Sequence, residues 1–406
     1  MTSPALPLHR LHEVAPYRPL RIAMVGQKGM PATFGGIEHH VEELGRRLVE
    51  RGHEVTVYCR QGYGGLDGRP ARERREHRGM RLVTTPAVRS KHLDAITHST
   101  TSTAHALASG VDVVHLHALG PGLLSPLVRA HPSARVVQTI HGLDHERAKW
   151  GGGARRVLEL GHRLSGSAPD AVTVVSADLR RHYAERFGRD VALVTNGAPS
   201  YAPAPRRLVE ELLGLAGAPY LLFVGRLVPE KRPDQLLRAY ARVPGATRLV
   251  LVGDSSFSGA YTAELADLAA RDPRVLMPGY QYGETLRALH QHATALVQPS
   301  VLEGMPLTVL EALGAGTRVV ASDIAPHVEL LGERPGRHAL VPAGDDAALA
   351  AALAAVVTTA DPGPDGDPVR ERVLADHSWD RSAELLERVY LDVVAGRGQR
   401  RPGWER

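Results

Sequence analysis

The chain has 406 residues, 43% of them hydrophobic and 4% aromatic, with a formal charge of +5 and one cysteine, Cys59. That length exceeds one ordinary core, so two domains are expected; a lone cysteine excludes an internal disulfide framework and a cysteine zinc site, and no apolar run approaches transmembrane length. The mild basicity suits anionic ligands such as nucleotide diphosphates, or an anionic membrane surface, and argues against nucleic acid, because basic residues are dispersed and seldom interleaved with aromatics.

Residues 1–19 carry four prolines and no apolar stretch of signal-peptide length, and read as a flexible tail on a soluble, cytoplasmic protein. Arg21–Val25 reads as a strand running into a Gly-rich loop. Glu38–Arg51 is helical in period, and Gly52 caps it. The strands Glu54–Tyr58, Val111–Leu116, Arg135–Ile140 and Ala171–Val175 continue the series. This βαβα rhythm predicts a parallel, doubly wound sheet. It pauses over the Pro- and Ala-rich stretch Asn196–Pro205, which suits a linker. It restarts at Tyr220–Val224, then Arg248–Val252, Arg274–Met277, Ala295–Val297 and Arg318–Ala321, predicting a second sheet of the same kind. Asp361–Asp367 reads as a loop and Trp379–Val394 as a last amphipathic helix.

Chemistry is concentrated where strands end. After Val224, Gly225 permits close approach of the backbone to a ligand. Arg226 and Lys231 then flank a turn ahead of a helix, a pattern suited to a phosphate. Taken alone, they read better as two solvated basic residues in a surface loop; the glycine, the turn and the downstream Glu303 and Glu311 shift that reading. Glu303 lies in a strand-to-helix loop, and Glu311 about two turns into the helix that Pro306 opens and Gly314 and Gly316 close. Two carboxylates at such an edge can grip hydroxyl pairs. Glu311 lies among Leu310, Ala312 and Leu313, so it needs a partner, either a ligand or a nearby Arg or His.

In the first half, Gly35-Gly36 precede a helix whose amides can meet a phosphate. The loop lacks GxGxxG spacing and is not a P-loop. His115 and His117 follow one strand and His141 another, on the cleft side of such a sheet, although any one of 21 histidines is more often structural. No histidine or carboxylate metal spacing is present, and Asp365-Gly366-Asp367 is discounted as a metal motif because no strand precedes it. The basic stretch Arg69–Arg81 reads as a solvated loop, or as a surface for anionic lipid or a phosphorylated acceptor.

Taken together, the motifs resemble a family-4 retaining glycosyltransferase of the two-Rossmann GT-B fold. Gly225-Arg226…Glu230-Lys231, Leu251-Val252-Gly253-Asp254, the Glu303…Glu311 pair and Gly35-Gly36 carry the resemblance, which spans residues 20–395. The first domain resembles the bacterial polysaccharide rhamnosyltransferase-like subgroup through Gly29–Glu38, Lys91-His92 and His141-Gly142-Leu143…Arg147-Ala148-Lys149-Trp150.

The resemblance implies an α/β architecture of two Rossmann-like domains whose parallel sheets face a central cleft. It implies an acceptor domain 20–198, a linker 199–216, a donor domain 217–376, and a segment 377–395 packing back on the first domain. Arg226 and Lys231 would hold the donor diphosphate and stabilise it as it leaves. Glu303 would bind donor-sugar hydroxyls, Glu311 the ribose, and His141 would face the sugar near the reacting carbon. Arg226, Lys231, Glu303 and His141 form the expected catalytic set. Gly35, Gly36, Gly225, Gly253, Gly304, Met305, Pro306 and Leu307 join Glu311 in the donor site, with base contacts near Met277–Tyr280. Lys91, His117, Arg147 and Lys149 fall on the acceptor side. No metal and no cofactor is implied, the nucleotide-diphosphate sugar being a co-substrate. The implied acceptor is a glycan, a lipid-linked saccharide or a small molecule, with peripheral contact at the inner face of a membrane as a further expectation. The competing classes are a nucleotide-sugar epimerase of the same fold and a non-catalytic sugar-nucleotide-binding partner; a nicotinamide dehydrogenase is disfavoured by the missing GxGxxG.

Overall fold

A computed structural model describes residues 18–33, 35–63, 74–88, 93–147, 150–214, 217–254 and 259–397. Of the expected tail, residues 1–17 therefore lie outside the described residues. The first sheet comprises β1 Arg21–Val25, β2 Glu54–Arg60, β3 Glu76–His77, β4 Met80–Thr85, β5 Val113–His117, β6 Arg135–Ile140, β7 Ala171–Val174 and β8 Ala192–Leu193. The second comprises β9 Tyr220–Val224, β10 Arg248–Val252, β11 Val275–Gly279, β12 Ala295–Gln298, β13 Val319–Ser322 and β14 Ala339–Val341.

The central strands are continuous apolar runs because helices cover both faces of each sheet. Thus β9 (Tyr-Leu-Leu-Phe-Val) is buried at every position. The first sheet is ordered β3-β4-β2-β1-β5-β6-β7-β8 and the second β11-β10-β9-β12-β13-β14. All pairings are parallel apart from the β3–β4 hairpin. In each sheet the chain builds outward from one strand, then returns to build on its other side. The order therefore reverses between β1 and β5, and between β9 and β12. Such switch points leave a crevice beyond the carboxyl ends of the strands. The loops after β1, β5, β9 and β12 open there, and they hold most of the residues singled out in the sequence.

The last helix, Trp379–Val394, returns to the first sheet. Its buried residues Trp379, Ala383, Leu386, Tyr390 and Val393 recur at spacings of four and three, one helical stripe. They share a core with Ile22, Met24, Val41, Leu44, Leu48 and Val57. Arg47 reaches Asp380 at 2.6 Å and His53 reaches Glu387 at 3.0 Å along the same seam. With Asp380 largely exposed, the Arg47–Asp380 pair adds little beside the apolar stripe.

The span 199–216, expected as a linker, contains a helix, Arg207–Leu213, with Val209 buried; its residues 215–216 lie outside the described residues. One expectation changes. Within Arg69–Arg81, residues 69–73 lie outside the described residues, but Glu76–His77 and Met80–Thr85 form a hairpin rather than a loop. Arg78 at its turn lies 3.3 Å from both Glu42 and Glu43, which ties that charge to the protein itself.

Candidate active site

The loop after β9 is fixed by its backbone. The Gly225 amide donates to Val252 O at 3.0 Å, and the Gly253 amide to Gly279 O at 3.0 Å. At Gly253, with φ +139, any Cβ would strike the Gly225 carbonyl, so only glycine lets the two strand ends lie this close. Pro229–Lys231 form a short 3₁₀ turn ahead of the helix Pro233–Tyr240. Arg226, its side chain 36% exposed, lies 3.8 Å from Glu230. Burial lowers its pKa, and the charge of Arg147 from the opposite sheet lowers it further. The carboxylates of Glu230, Glu303 and Asp144 oppose that shift, so the Arg226 guanidinium sits in a mixed-charge setting.

Lys231 Nζ donates to Glu303 Oε1, joining the β9 loop to the β12 loop. Burial would raise the Glu303 pKa, but the charges and hydrogen bonds of Lys231, His327 and Ser300 outweigh it and hold the carboxyl at about 2. Gln298 Nε2 also donates to Glu303 at 3.3 Å. The Val301 amide donates to Glu230 O at 2.9 Å, tying the two loops together by backbone as well.

Pro306 is the N-cap of the helix Leu307–Ala315 and not part of its first turn. Glu311 is consequently the helix's fifth residue, little more than one turn in, where the sequence suggested two. Gly314 is buried inside this helix against the Pro199 carbonyl, and Gly316 in the left-handed region closes it. The histidine nearest Glu311 in the ion-pair geometry is His290, whose Nε2 lies 3.6 Å from the carboxylate, beyond hydrogen-bond reach, and makes no hydrogen bond among the described residues. Tyr201 also lies beside Glu311: burial and then that carboxylate's charge push its phenol pKa up. Tyr201 was not anticipated. Tyr280, where base contacts were expected, donates to Asp254 O at 3.0 Å, and its ring centroid is 6.0 Å from that of Tyr282.

On the first-sheet side, Gly35 is the N-cap of the helix Gly36–Glu50 and Gly36 its first residue. The Glu38 carboxylate folds back to accept the Lys28 amide at 2.8 Å, and Glu42 accepts the Ala32 amide at 2.6 Å. These bonds shape the loop after β1. Burial raises the Glu38 pKa, against the pull of the Lys28 amide and charge.

The two walls touch at Gly304, whose missing side chain lets the His141 carbonyl pack against its backbone. Asn196 joins three segments. Its Oδ1 meets His40 Nδ1 at 2.8 Å, its Nδ2 donates to Met305 O at 3.1 Å, and its carbonyl faces His377 Nδ1 at 3.3 Å. Neither Asn196 nor His40 was singled out in the sequence, although an Asn-Gly pair closing the first strand series is a turn signal.

His117 is the last residue of β5 rather than lying beyond the strand, and its Nδ1 is 3.1 Å from His141 Nε2. His115, on the same strand, bonds Tyr390 and Thr139, each at 2.6 Å, and so belongs to the packing of the last helix. Arg147 pairs with Asp144 at 3.1 Å and faces Arg226. Lys91 and Lys149 lie outside the described residues. Asp367 caps the helix Pro368–Asp376 and meets His338 Nε2 at 2.8 Å, a structural use of that carboxylate.

Comparison with known proteins agrees with this geometry. The profile of Glycosyltransferase Family 4 matches residues 34–199, and that of the group 1 glycosyl transferases matches residues 218–359. The chain is 29% identical to the alpha-maltose-1-phosphate synthase of Mycolicibacterium smegmatis over 93% of its own length and all of that protein. It is 31% identical to the GDP-mannose-dependent phosphatidylinositol monomannoside mannosyltransferase of the same organism, covering 75% of this chain and 81% of the relative. It is 30% identical to the D-inositol 3-phosphate glycosyltransferase of Xylanimonas cellulosilytica, covering 94% and 98%. Among solved structures, sucrose-phosphate synthase from Thermosynechococcus elongatus superposes with a TM-score of 0.75 at 23% identity, covering 92% of this chain and 99% of the other. Anabaena HepE in complex with UDP superposes with a TM-score of 0.71 at 16% identity, covering 91% and 99%. The chain belongs to glycosyltransferase family 4 and is a glycosyltransferase of the GT-B fold.

Proposed function

We propose that this glycosyltransferase moves a sugar from a nucleoside diphosphate to an acceptor with retention at the anomeric carbon and without a metal. The observation that carries the reading is the Lys231–Glu303 pair at the β9–β12 switch point, beside Arg226, with Glu311 little more than one turn into the helix that follows.

Breaking a sugar–diphosphate bond creates an anionic leaving group and an oxocarbenium-like centre. Arg226 and Lys231 supply fixed positive charge to the departing diphosphate, a role that needs no metal. Amides at the Gly35–Gly36 helix start and at Leu307 add dipoles of the same sense. Glu303, ionised by its surroundings, accepts hydrogen bonds from sugar hydroxyls, and Glu311 from the ribose. Tyr280 offers a face to the base. His141 lines the sugar side. No second base is required, because the leaving phosphate can take the acceptor proton in front-face attack.

The donor sugar we favour is rhamnose or another hexose or deoxyhexose, on the strength of the first-domain motifs. The acceptor is a glycan, a lipid-linked saccharide or a small molecule. Two relatives named for inositol 3-phosphate and maltose-1-phosphate support a phosphorylated small molecule, and Arg147, paired with Asp144 at 3.1 Å, is the residue we assign to its charge. No helix among the described residues is long and apolar enough to cross a membrane, and we infer a cytoplasmic enzyme with peripheral membrane contact where the acceptor is lipid-linked. Thermal-shift screening against UDP, dTDP, GDP and ADP sugars identifies the donor, since stabilisation grows with the logarithm of concentration over Kd. Hydrolysis or transfer of the stabilising donor supports the reading; its conversion to an epimer with no acceptor present overturns it.

A further inference from the structure

His40, His117 and His141 come together at the base of the crevice from three elements: the Gly36–Glu50 helix, the end of β5 and the loop after β6. One ring nitrogen from each lies within 4.8 Å of the other two. His117 Nδ1 and His141 Nε2 are 3.1 Å apart. Two imidazole nitrogens on a tetrahedral zinc, each at about 2.0–2.1 Å, stand about 3.3 Å apart. The pair is thus already near the spacing a metal needs, and bringing in the third nitrogen asks for side-chain shifts on the order of 1 Å.

A ring nitrogen of the cluster makes no hydrogen bond. His40 Nε2 is buried with no partner among the described residues. A buried polar atom left unpaired costs about 1–3 kcal/mol and calls for a reason. Neighbouring His115 shows the alternative, with both ring nitrogens satisfied by Tyr390 and Thr139. His40 is also oriented as metal ligands usually are: its Nδ1 is held by Asn196 Oδ1 at 2.8 Å, which leaves the Nε2 lone pair to face the cluster. His40 and His117 are buried, whereas His141 is partly exposed and gives an ion a way in from the crevice.

We propose that His40, His117 and His141 form a binding site for a divalent transition metal of the zinc class, and that filling it switches sugar transfer off. The ion is not a cofactor for the reaction. It engages the His141 imidazole, which the proposed function places against the donor sugar; the switching half of the inference rests on that reading, and the binding half does not. Three neutral imidazoles select zinc, cobalt, nickel or copper over magnesium and calcium, which prefer oxygen.

The test uses the full-length enzyme, without a histidine tag and stripped of metal, titrated with Co²⁺ as a spectroscopic probe for the zinc class. The expected result is a single equivalent bound with the visible absorption of a tetrahedral site. His40→Asn should bind at least tenfold more weakly, keep transfer activity in the absence of metal, and escape Zn²⁺ inhibition. A thermal melt of the variant checks that it folds, and the wild-type spectrum stands whether or not it does. No bound cobalt in the wild type, or equal binding in a folded His40→Asn, overturns the site; the latter places the ion elsewhere, such as at the stacked His162 and His182. A filled site with undiminished transfer overturns the switch and removes His141 from the donor's surroundings, while leaving the phosphate grip of Arg226 and Lys231 intact.

Discussion

Lys231 and Glu303 are joined through Nζ and Oε1, so the cation expected to hold the donor's phosphate is neutralised by the carboxylate expected to hold its sugar. The site therefore carries its own counter-charge. A buried ion pair with additional hydrogen bonds is tolerable, whereas either partner alone would be a costly buried charge. On the proposed function, donor binding would exchange partners: the diphosphate would take over Lys231, and the freed lone pairs of Glu303 would turn to hydroxyl groups.

That pairing makes the second domain acid-sensitive. The Glu303 pKa is depressed in the folded protein, from 4.5 to about 2. A depressed carboxyl contributes stability above its unfolded pKa and loses it as pH falls through the folded value. The expected contribution is on the order of 2–3 kcal/mol at pH 6, fading between about pH 4.5 and pH 2. Urea melts of wild type and Glu303→Gln across that window should converge as pH falls; a constant gap would rule out an ionised Glu303.

Arg226 should matter to the chemical step more than to folding, since its side chain is 36% exposed. Arg226→Ala is expected to lower kcat by about 10²–10³, the usual loss for one fixed donor at a developing anion. Arg226→Lys should recover part of this, because the charge returns without the planar fork. Steady-state kinetics on both variants, with melts to confirm folding, checks the order.

Glu311 should act on donor affinity. Removing a charged acceptor of ribose hydroxyl bonds costs about 1.5–3 kcal/mol, so Glu311→Gln should raise donor KM roughly tenfold to a hundredfold with a smaller change in kcat. A fall in kcat at unchanged KM would instead place Glu311 at the reacting carbon.

Trp379 anchors the returning helix. It is 6% exposed in the core shared with the first sheet, and the Gly197 backbone packs against its ring. Trp379→Ala should cost about 3–5 kcal/mol. Chemical denaturation followed by circular dichroism tests this, and a loss under 1 kcal/mol would mean that the helix does not hold the first domain together.

Much of the fold was legible in the sequence, and for one physical reason. Strands buried on both faces are mostly apolar, so β1, β6, β9 and β10 stand out residue for residue. The β3–β4 hairpin did not, because its short strands carry Glu76, His77 and Arg81 at a solvated edge. The helix Arg207–Leu213 was hidden by the prolines ahead of it. In the site, Glu303 and Glu311 were visible through loop and helix signals, but their partners were not. Lys231 meets Glu303 across 72 residues, and Asn196 meets His40 across 156. Such pairings are set by which strand ends lie side by side at a switch point, and local pattern carries no trace of them. His117 was noted as an acceptor-side residue, yet its contact with His141 depends on β5 and β6 being neighbours.

The central claim is that Lys231 and its neighbours grip a nucleoside diphosphate sugar. Calorimetric titration of Lys231→Ala with the donor that stabilises the wild type tests it most directly. The account predicts at least a tenfold weaker Kd and a kcat reduced by about 10²–10³ in a protein that still folds. Affinity and turnover equal to wild type would contradict it.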